Sequence, residues 1–205
     1  MAYPHETDLL GATDPPGWID QHFLRQDPFA FAHGTLSFHS AACTLSESLD
    51  VERNGIFCIG SGAIGLSINP AKIVDGHLKE FDHDSDLDVA IVSSRHFELA
   101  WRELLLATQP HLKEVPAAVE KNLAWQRKRL FDGAILANKL LGSLSFGTKW
   151  LGAIDSVSGR IEDSFDRSVT AEFWIYRDYW SLRNYVARGV VACQREIRIE
   201  GLLND

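Results

Sequence analysis

Two short apolar segments constrain the fold of this chain more than any other feature of its sequence. Ile56–Ile59 is stopped by Gly60, and Leu87–Val92 follows a run of acidic residues. Apolar runs of four to eight residues that are bounded by turn residues are typical of buried β-strands. Residues 169–176 alternate between apolar and polar side chains, which predicts a third strand. The sequence therefore predicts a small sheet at the centre of the fold.

Helical patterns surround these strands. Residues 96–108 and the segment after Pro116 carry apolar side chains at intervals of three and four, and Asp178 is placed to cap a final helix. These patterns predict an α/β (α+β) fold in which a small mixed sheet is flanked by helices. Residues 29–205 are expected to form one domain that ends in a C-terminal helix. Residues 1–28 contain four prolines among acids and glycines, and they predict a loosely packed N-terminal arm.

Composition narrows the classes of function. The chain of 205 residues has 20 Lys and Arg against 28 Asp and Glu, and its net charge of -8 excludes capture of nucleic acid by a positive field of the whole surface, though not by a local basic groove. Three cysteines without C-x-x-C spacing favour reduced thiols and a cytoplasmic location over a zinc site or a disulfide framework. No apolar stretch approaches the roughly 20 residues that cross a bilayer, so no membrane association is expected.

The residues that border the first two strands suggest a chemistry. Asp86 and Asp88 are two positions apart, so their carboxylates project from one face of the strand and repel each other. A divalent cation relieves that repulsion, and Mg²⁺ prefers carboxylate and phosphate oxygens as ligands. Gly60 and Ser61, at the end of the other strand, offer backbone N–H groups and a hydroxyl to phosphate oxygens.

This combination resembles the DNA polymerase β-like nucleotidyltransferase superfamily, in which a strand, Gly-Ser, a helix and a strand with Asp-x-Asp follow one another. Gly60-Ser61 is similar to the first motif and Ser85-Asp86-Leu87-Asp88-Val89 to the second. Many small members have an arginine where this chain has Ile64. The spacing between the two motifs is longer than in minimal members, so residues 66–83 are expected to be an insertion or an extended loop.

The resemblance implies specific roles for individual residues. Asp86, Asp88 and a third carboxylate would bind Mg²⁺ or Mn²⁺. Glu172, in the middle of the third predicted strand, is the preferred third acid, and Asp132 and Asp155 are the alternatives. The expected contacts to the nucleotide phosphates are Gly60, Ser61, Lys149 and Arg177.

The implied activity is transfer of a nucleoside monophosphate from a nucleoside or deoxynucleoside triphosphate to a hydroxyl, with release of pyrophosphate. The acceptor is left open between tRNA, a protein and a growing oligonucleotide or nucleotide signal, in a bacterial antiphage or toxin–antitoxin setting. A catalytically silent, antitoxin-like module that binds nucleotide or a partner protein encoded alongside is the alternative, and a structural metal-binding domain is a third.

Two further groups of residues allow either a functional or a structural interpretation. The basic cluster on the long helix would receive a triphosphate or a nucleic-acid acceptor, or it is a solvated helix face; its members are Lys121, Arg127, Lys128 and Arg129. Three aromatic residues would stack on a base or pack in the core, namely Trp174, Trp180 and Tyr185.

Overall fold

A computed structural model of the chain describes residues 3–24, 27–32, 34–109, 117–165 and 169–204. Its centre is a mixed sheet of four strands, β1 Ile56–Ile59, β2 Leu87–Val92, β3 Ala134–Leu136 and β4 Ala171–Tyr176. The strands lie in the order β1-β2-β4-β3. β2 and β4 run parallel, whereas β1 is antiparallel to β2 and β3 is antiparallel to β4. The predicted small mixed sheet is therefore confirmed.

The described residues also form eight α-helices. Their bounds are α1 Glu6–Leu10, α2 Pro15–His22, α3 Phe38–Leu49, α4 Ser61–Ile64, α5 Ser94–Ala107, α6 Ala117–Phe131, α7 Gly147–Phe165 and α8 Tyr179–Asn204. The predicted cap of the last helix is present, because the Asp178 carboxylate accepts a hydrogen bond of 2.7 Å from the backbone N–H of Ser181. Within the described ranges, no helix is both long and apolar enough to cross a bilayer.

The two faces of the sheet differ in character. Side chains alternate between faces along a strand, and Leu87, Val89 and Ile91 of β2 are buried together with Phe173 and Ile175 of β4. The opposite face of these strands carries Asp88, Glu172, Trp174 and Tyr176. The rings of Trp174 and Tyr176 both contact Tyr185 of α8. The polar residues of the sheet thus lie on the face that α8 covers.

Residues near the amino terminus are part of the packed core rather than a loose arm. α1 and α2 pack on α8, and Leu9 and Ile19 are completely buried. The Gln194 side chain of α8 donates hydrogen bonds to the carbonyl oxygens of Leu9 and Ala12, at 3.0 and 2.9 Å. The prolines of α2 occupy its first turn, where a missing N–H leaves no helical hydrogen bond unmade.

A buried side chain completes the pairing of the short edge strand β3. Gln126 of α6 is completely buried. Its amide nitrogen donates to the carbonyl oxygen of Ala134 at 2.7 Å, and its amide oxygen accepts from the backbone N–H of Leu136 at 3.1 Å. Because unpaired backbone groups are costly when buried, Gln126 takes the place of a further strand at this edge.

Candidate functional site

The turn between β1 and α4 brings backbone against a carboxylate. Gly60 has φ 65° and ψ -154°, a conformation that side chains rarely allow. A Cβ atom at this position would lie 2.7 Å from Oδ2 of Asp88. Both constraints require glycine, and the second follows from the pairing of Ile59 with Asp88 in the sheet. Ser61, the next residue, begins α4.

Asp88 is the electrostatic centre of the site. Its Oδ1 accepts a hydrogen bond of 3.0 Å from the indole Nε1 of Trp174. Burial raises the pKa of the Asp88 carboxyl from 3.8 to about 6; the Trp174 hydrogen bond opposes this rise, and the charges of Glu172 and Asp86 add to it. Asp86 is exposed at the start of β2. Asp88 therefore ionises at a cost when nothing positive is bound nearby.

Glu172 is the acid that the fold places beside Asp88. The two residues are direct partners in the parallel register of β2 and β4, so their side chains leave the same face of the sheet. Asp132, an alternative third acid, instead pairs with Arg188 at 2.8 Å. Asp155, the other alternative, is exposed on α7. Of the three acids considered, the structure brings Glu172 to the aspartate pair.

A cleft of about 490 Å³ opens over Asp86 and Asp88, and Gly60 and Ser61 line it as well. Its outer wall comes from the segment after α4, including Ser67, Ile68, Asn69, Pro70 and Lys72. This segment lies within residues 66–83, the expected insertion, and it packs tightly on α8. A Cβ atom on Gly189 would lie 2.7 Å from the carbonyl oxygen of Ile68. The remaining wall is formed by α6, β4 and α8 through Arg129, Trp174, Tyr185, Val186 and Arg188.

Three cations also line this cleft, namely Lys72, Arg129 and Arg188, and the last of them pairs with Asp132. Burial raises the pKa of Asp88, and the Lys72 charge favours ionisation and so opposes part of that rise. Arg129 stacks on the ring of Trp125, and its Nε is buried without a hydrogen-bond partner in the described part of the chain. Arg129 belongs to the predicted basic cluster, whereas no sequence pattern points to Lys72. The cleft thus has a negative floor and a positive rim.

The structure does not bring Lys149 or Arg177 to this cleft. Lys149 lies in the first turn of α7. The Arg95 hydrogen bond lowers the pKa of Asp50 and burial lowers the pKa of His96, and the charge of Lys149 adds to both effects. Arg177 follows the carboxyl end of β4 and pairs with Asp178 at 2.9 Å. It lies five positions after Glu172, a distance of roughly 16 Å along an extended strand. It therefore lies at the opposite end of the sheet from the aspartates.

No family model, curated protein or solved structure matches this chain. Among the residues that the structure describes, no three His, Cys, Asp or Glu side chains converge as a formed metal centre. The site nevertheless offers the carboxylate oxygens of Asp86, Asp88 and Glu172. Gly60 has no side chain that would cover Oδ2 of Asp88. Such donors suit a hard divalent cation.

Proposed function

We propose that this chain is a metal-dependent nucleotidyltransferase that moves a nucleoside monophosphate from a nucleoside or deoxynucleoside triphosphate to a hydroxyl group. The observation that carries the proposal is the direct pairing of Asp88 with Glu172 beside the Gly60 turn. The order of strand, Gly-Ser, helix, Asp-x-Asp strand and later acidic strand agrees with the pattern expected from the sequence resemblance. The cleft beside these groups provides room for the nucleotide.

Asp86, Asp88 and Glu172 are the residues that would hold Mg²⁺ or Mn²⁺ in this proposal. Divalent cations bound there would neutralise charge on the reacting phosphate and on the departing pyrophosphate. Trp174 fixes the orientation of Asp88 through its hydrogen bond to Oδ1, which leaves Oδ2 on the side of Gly60. This second carboxylate oxygen of Asp88 would be the one available to a bound cation.

The positive rim has a complementary role. Lys72, Arg129 and Arg188 line the cleft with the Ser61 hydroxyl, and a triphosphate bound there would receive hydrogen bonds and opposite charge from them. These groups come from a loop and the helices, and the fold itself brings them to one cleft. The protein contributes positioning and fixed charge, which are the main requirements of phosphoryl-group chemistry.

The direct test is incubation of the protein with each α-³²P-labelled triphosphate and Mg²⁺ or Mn²⁺, followed by measurement of pyrophosphate and labelled products. We expect Asp88→Asn and Glu172→Gln to lower the rate of transfer at least a hundredfold. The matched control is Asp155→Asn, which removes a carboxylate from exposed α7 and should leave the rate unchanged. Transfer that survives in Glu172→Gln and is lost in Asp155→Asn would refute the assignment of the third acid.

A second candidate, a catalytically silent module, is favoured by the hydrogen bond that already occupies Oδ1 of Asp88 and by the lack of a formed three-ligand centre among the described residues. Such a protein would bind a nucleotide, or a partner protein encoded alongside, in the same cleft. It would be stabilised against heating by a triphosphate but would release no pyrophosphate with any metal. The assay above, combined with thermal melting, separates the two functions.

A further inference from the structure

A second cavity adjoins the cleft. It has a volume of about 460 Å³ and lies between the start of α2, the turn after α6 and the outer face of α8. Arg188 lines both the cleft and this cavity, and its partner Asp132 lies in the wall of the cavity. The Arg188–Asp132 ion pair therefore lies where the cavity meets the cleft, and a molecule bound in the cavity would pass this pair to enter the cleft.

Two aromatic rings in this cavity are open to solvent. Phe131 is 93% exposed and Trp180 is 62% exposed, and both line the cavity. Large apolar side chains that share one exposed patch often mark a binding surface. Planar rings in that position suit flat, stackable ligands such as nucleobases.

The helix that leads to Phe131 carries unpaired positive charge. Arg127 and Lys128 precede Phe131 by four and three residues, so all three lie on neighbouring positions of one helix face. Both cations are exposed, and neither forms an ion pair with any acid in the described ranges. On a chain with a net charge of -8, such a local excess of positive charge favours a polyanion.

A stripe along α8 connects the open ring to the cleft. Trp180, Asn184 and Arg188 follow one another at intervals of four residues and all line the cavity, which places them on one face of the helix. The stripe is roughly 12 Å long, at 1.5 Å per helical residue. Its outer end is aromatic, its middle is an amide, and its inner end is the guanidinium that lines the cleft.

We propose that this cavity binds single-stranded nucleic acid, with bases on Phe131 and Trp180 and phosphates near Arg127 and Lys128. The role of the strand as the hydroxyl acceptor rests on the proposed nucleotidyltransferase function, because only that reaction requires a strand end in the cleft. A docked protein would also cover the two rings, but the two cations that neighbour Phe131 on α6 favour a polyanion over an uncharged apolar surface. Stacking rings beside cations are the combination that single-strand binding uses.

The test measures binding apart from catalysis. A fluorescein-labelled single-stranded RNA and the DNA of the same sequence are titrated with the Asp88→Asn protein, without metal or triphosphate, and fluorescence anisotropy is recorded. We expect Phe131→Ala and Trp180→Ala each to raise the Kd about tenfold, the loss expected for one stacked base. Lys128→Ala should weaken binding and make it less dependent on salt. Ile199→Ala, which truncates another exposed side chain of α8, is the matched control and should bind as tightly as the parent.

The outcomes for the two proposals are distinct. Failure of both strands to bind, or equal binding by the Phe131, Trp180 and Ile199 variants, would overturn the single-strand site, and a protein occupant would then replace it. Pyrophosphate release by the wild-type protein in that case would leave the nucleotidyltransferase proposal intact. Binding that is weakened as expected, with no pyrophosphate released from any triphosphate, would support the site and refute the catalytic proposal.

Discussion

Replacement of Asp88 by Asn should stabilise the metal-free protein at neutral and alkaline pH. Asn keeps an oxygen that accepts the Trp174 hydrogen bond, while it removes the charge that burial, Glu172 and Asp86 disfavour. The folded pKa of Asp88 is raised above its ordinary value, so the folded state favours the protonated carboxyl. The wild type therefore loses stability as the pH rises from about 4 through about 6, and above that range the loss is complete.

The size of the effect follows from the same pKa values. The pKa of Asp88 rises from 3.8 to about 6, and one pKa unit between the folded and unfolded states is worth about 1.4 kcal/mol. Ionisation of Asp88 thus costs the folded protein at most about 3 kcal/mol at pH 8, and solvent screening in the open cleft reduces this to about 2 kcal/mol. Near pH 4 the same cost falls to about 0.5 kcal/mol.

Urea unfolding followed by tryptophan fluorescence, with chelator present, measures these differences at pH 4, 6 and 8. We expect the free energy of unfolding of Asp88→Asn to exceed that of the wild type by about 2 kcal/mol at pH 8, with the gain shrinking toward pH 4. Asp86→Asn is the matched control, and because Asp86 is exposed its gain should stay below about 0.5 kcal/mol. A gain that is equal at pH 4 and pH 8, or a loss at pH 8, would show that the charge of Asp88 is not strained in the folded protein.

Three further changes test the architecture of the site. Gly60→Ala should destabilise the protein by about 1–3 kcal/mol in the same urea assay, because its Cβ would meet Asp88 at 2.7 Å and its φ is 65°; a neutral result would mean that the turn relaxes freely. Trp174→Phe removes the hydrogen bond that lowers the pKa of Asp88, so the pH at which metal-free stability declines should move upward, and an unchanged or lower midpoint contradicts this role. Gln126→Leu should lower the free energy of unfolding by about 2–3 kcal/mol, measured by thermal melting, because two buried backbone groups of β3 lose their hydrogen-bond partner. An unchanged melting temperature would show that other groups form these hydrogen bonds.

Local patterns in the sequence were sufficient to predict three of the four strands. β1, β2 and β4 carry apolar runs or alternation within a few residues. Gly60 follows β1 directly, and Asp86 and Asp88 lie at the start of β2. β3 has only three residues, too few for either pattern, and its position depends on Gln126, which lies eight residues before it in another element. No pattern within residues 134–136 indicates such a hydrogen bond from another element.

Helix α7 shows a different reason for a missed element. It buries Trp150, Ile154, Val157 and Ile161 at helical spacing, but three glycines within its bounds weaken the pattern because glycine disfavours helices. Two of these glycines do not serve a close approach, since a Cβ atom at Gly152 or Gly159 would meet nothing within 4 Å beyond the backbone of the helix itself. Tertiary packing of the buried stripe therefore outweighs the low helix propensity of these residues.

The cations of the cleft were harder to predict than its acids for a geometric reason. Asp86 and Asp88 are two positions apart at the start of β2, so their spacing alone places them together, whereas Lys72, Arg129 and Arg188 come from three separate segments. Only the packed structure reveals that these segments meet. Arg177 shows that closeness in sequence can also mislead. It follows β4, which contains Glu172, but it lies beyond the other end of that strand.

The distribution of charge in the cleft restricts what can bind there. A bare anion would approach the cations but also face Asp86 and Asp88, and a bare cation would meet the reverse conflict with Lys72 and Arg129. A ligand that carries a divalent cation on a polyphosphate matches both walls at once. The raised pKa of Asp88 agrees with a site in which a bound positive charge would favour the ionised acids, and this match supports the proposed metal–nucleoside triphosphate substrate.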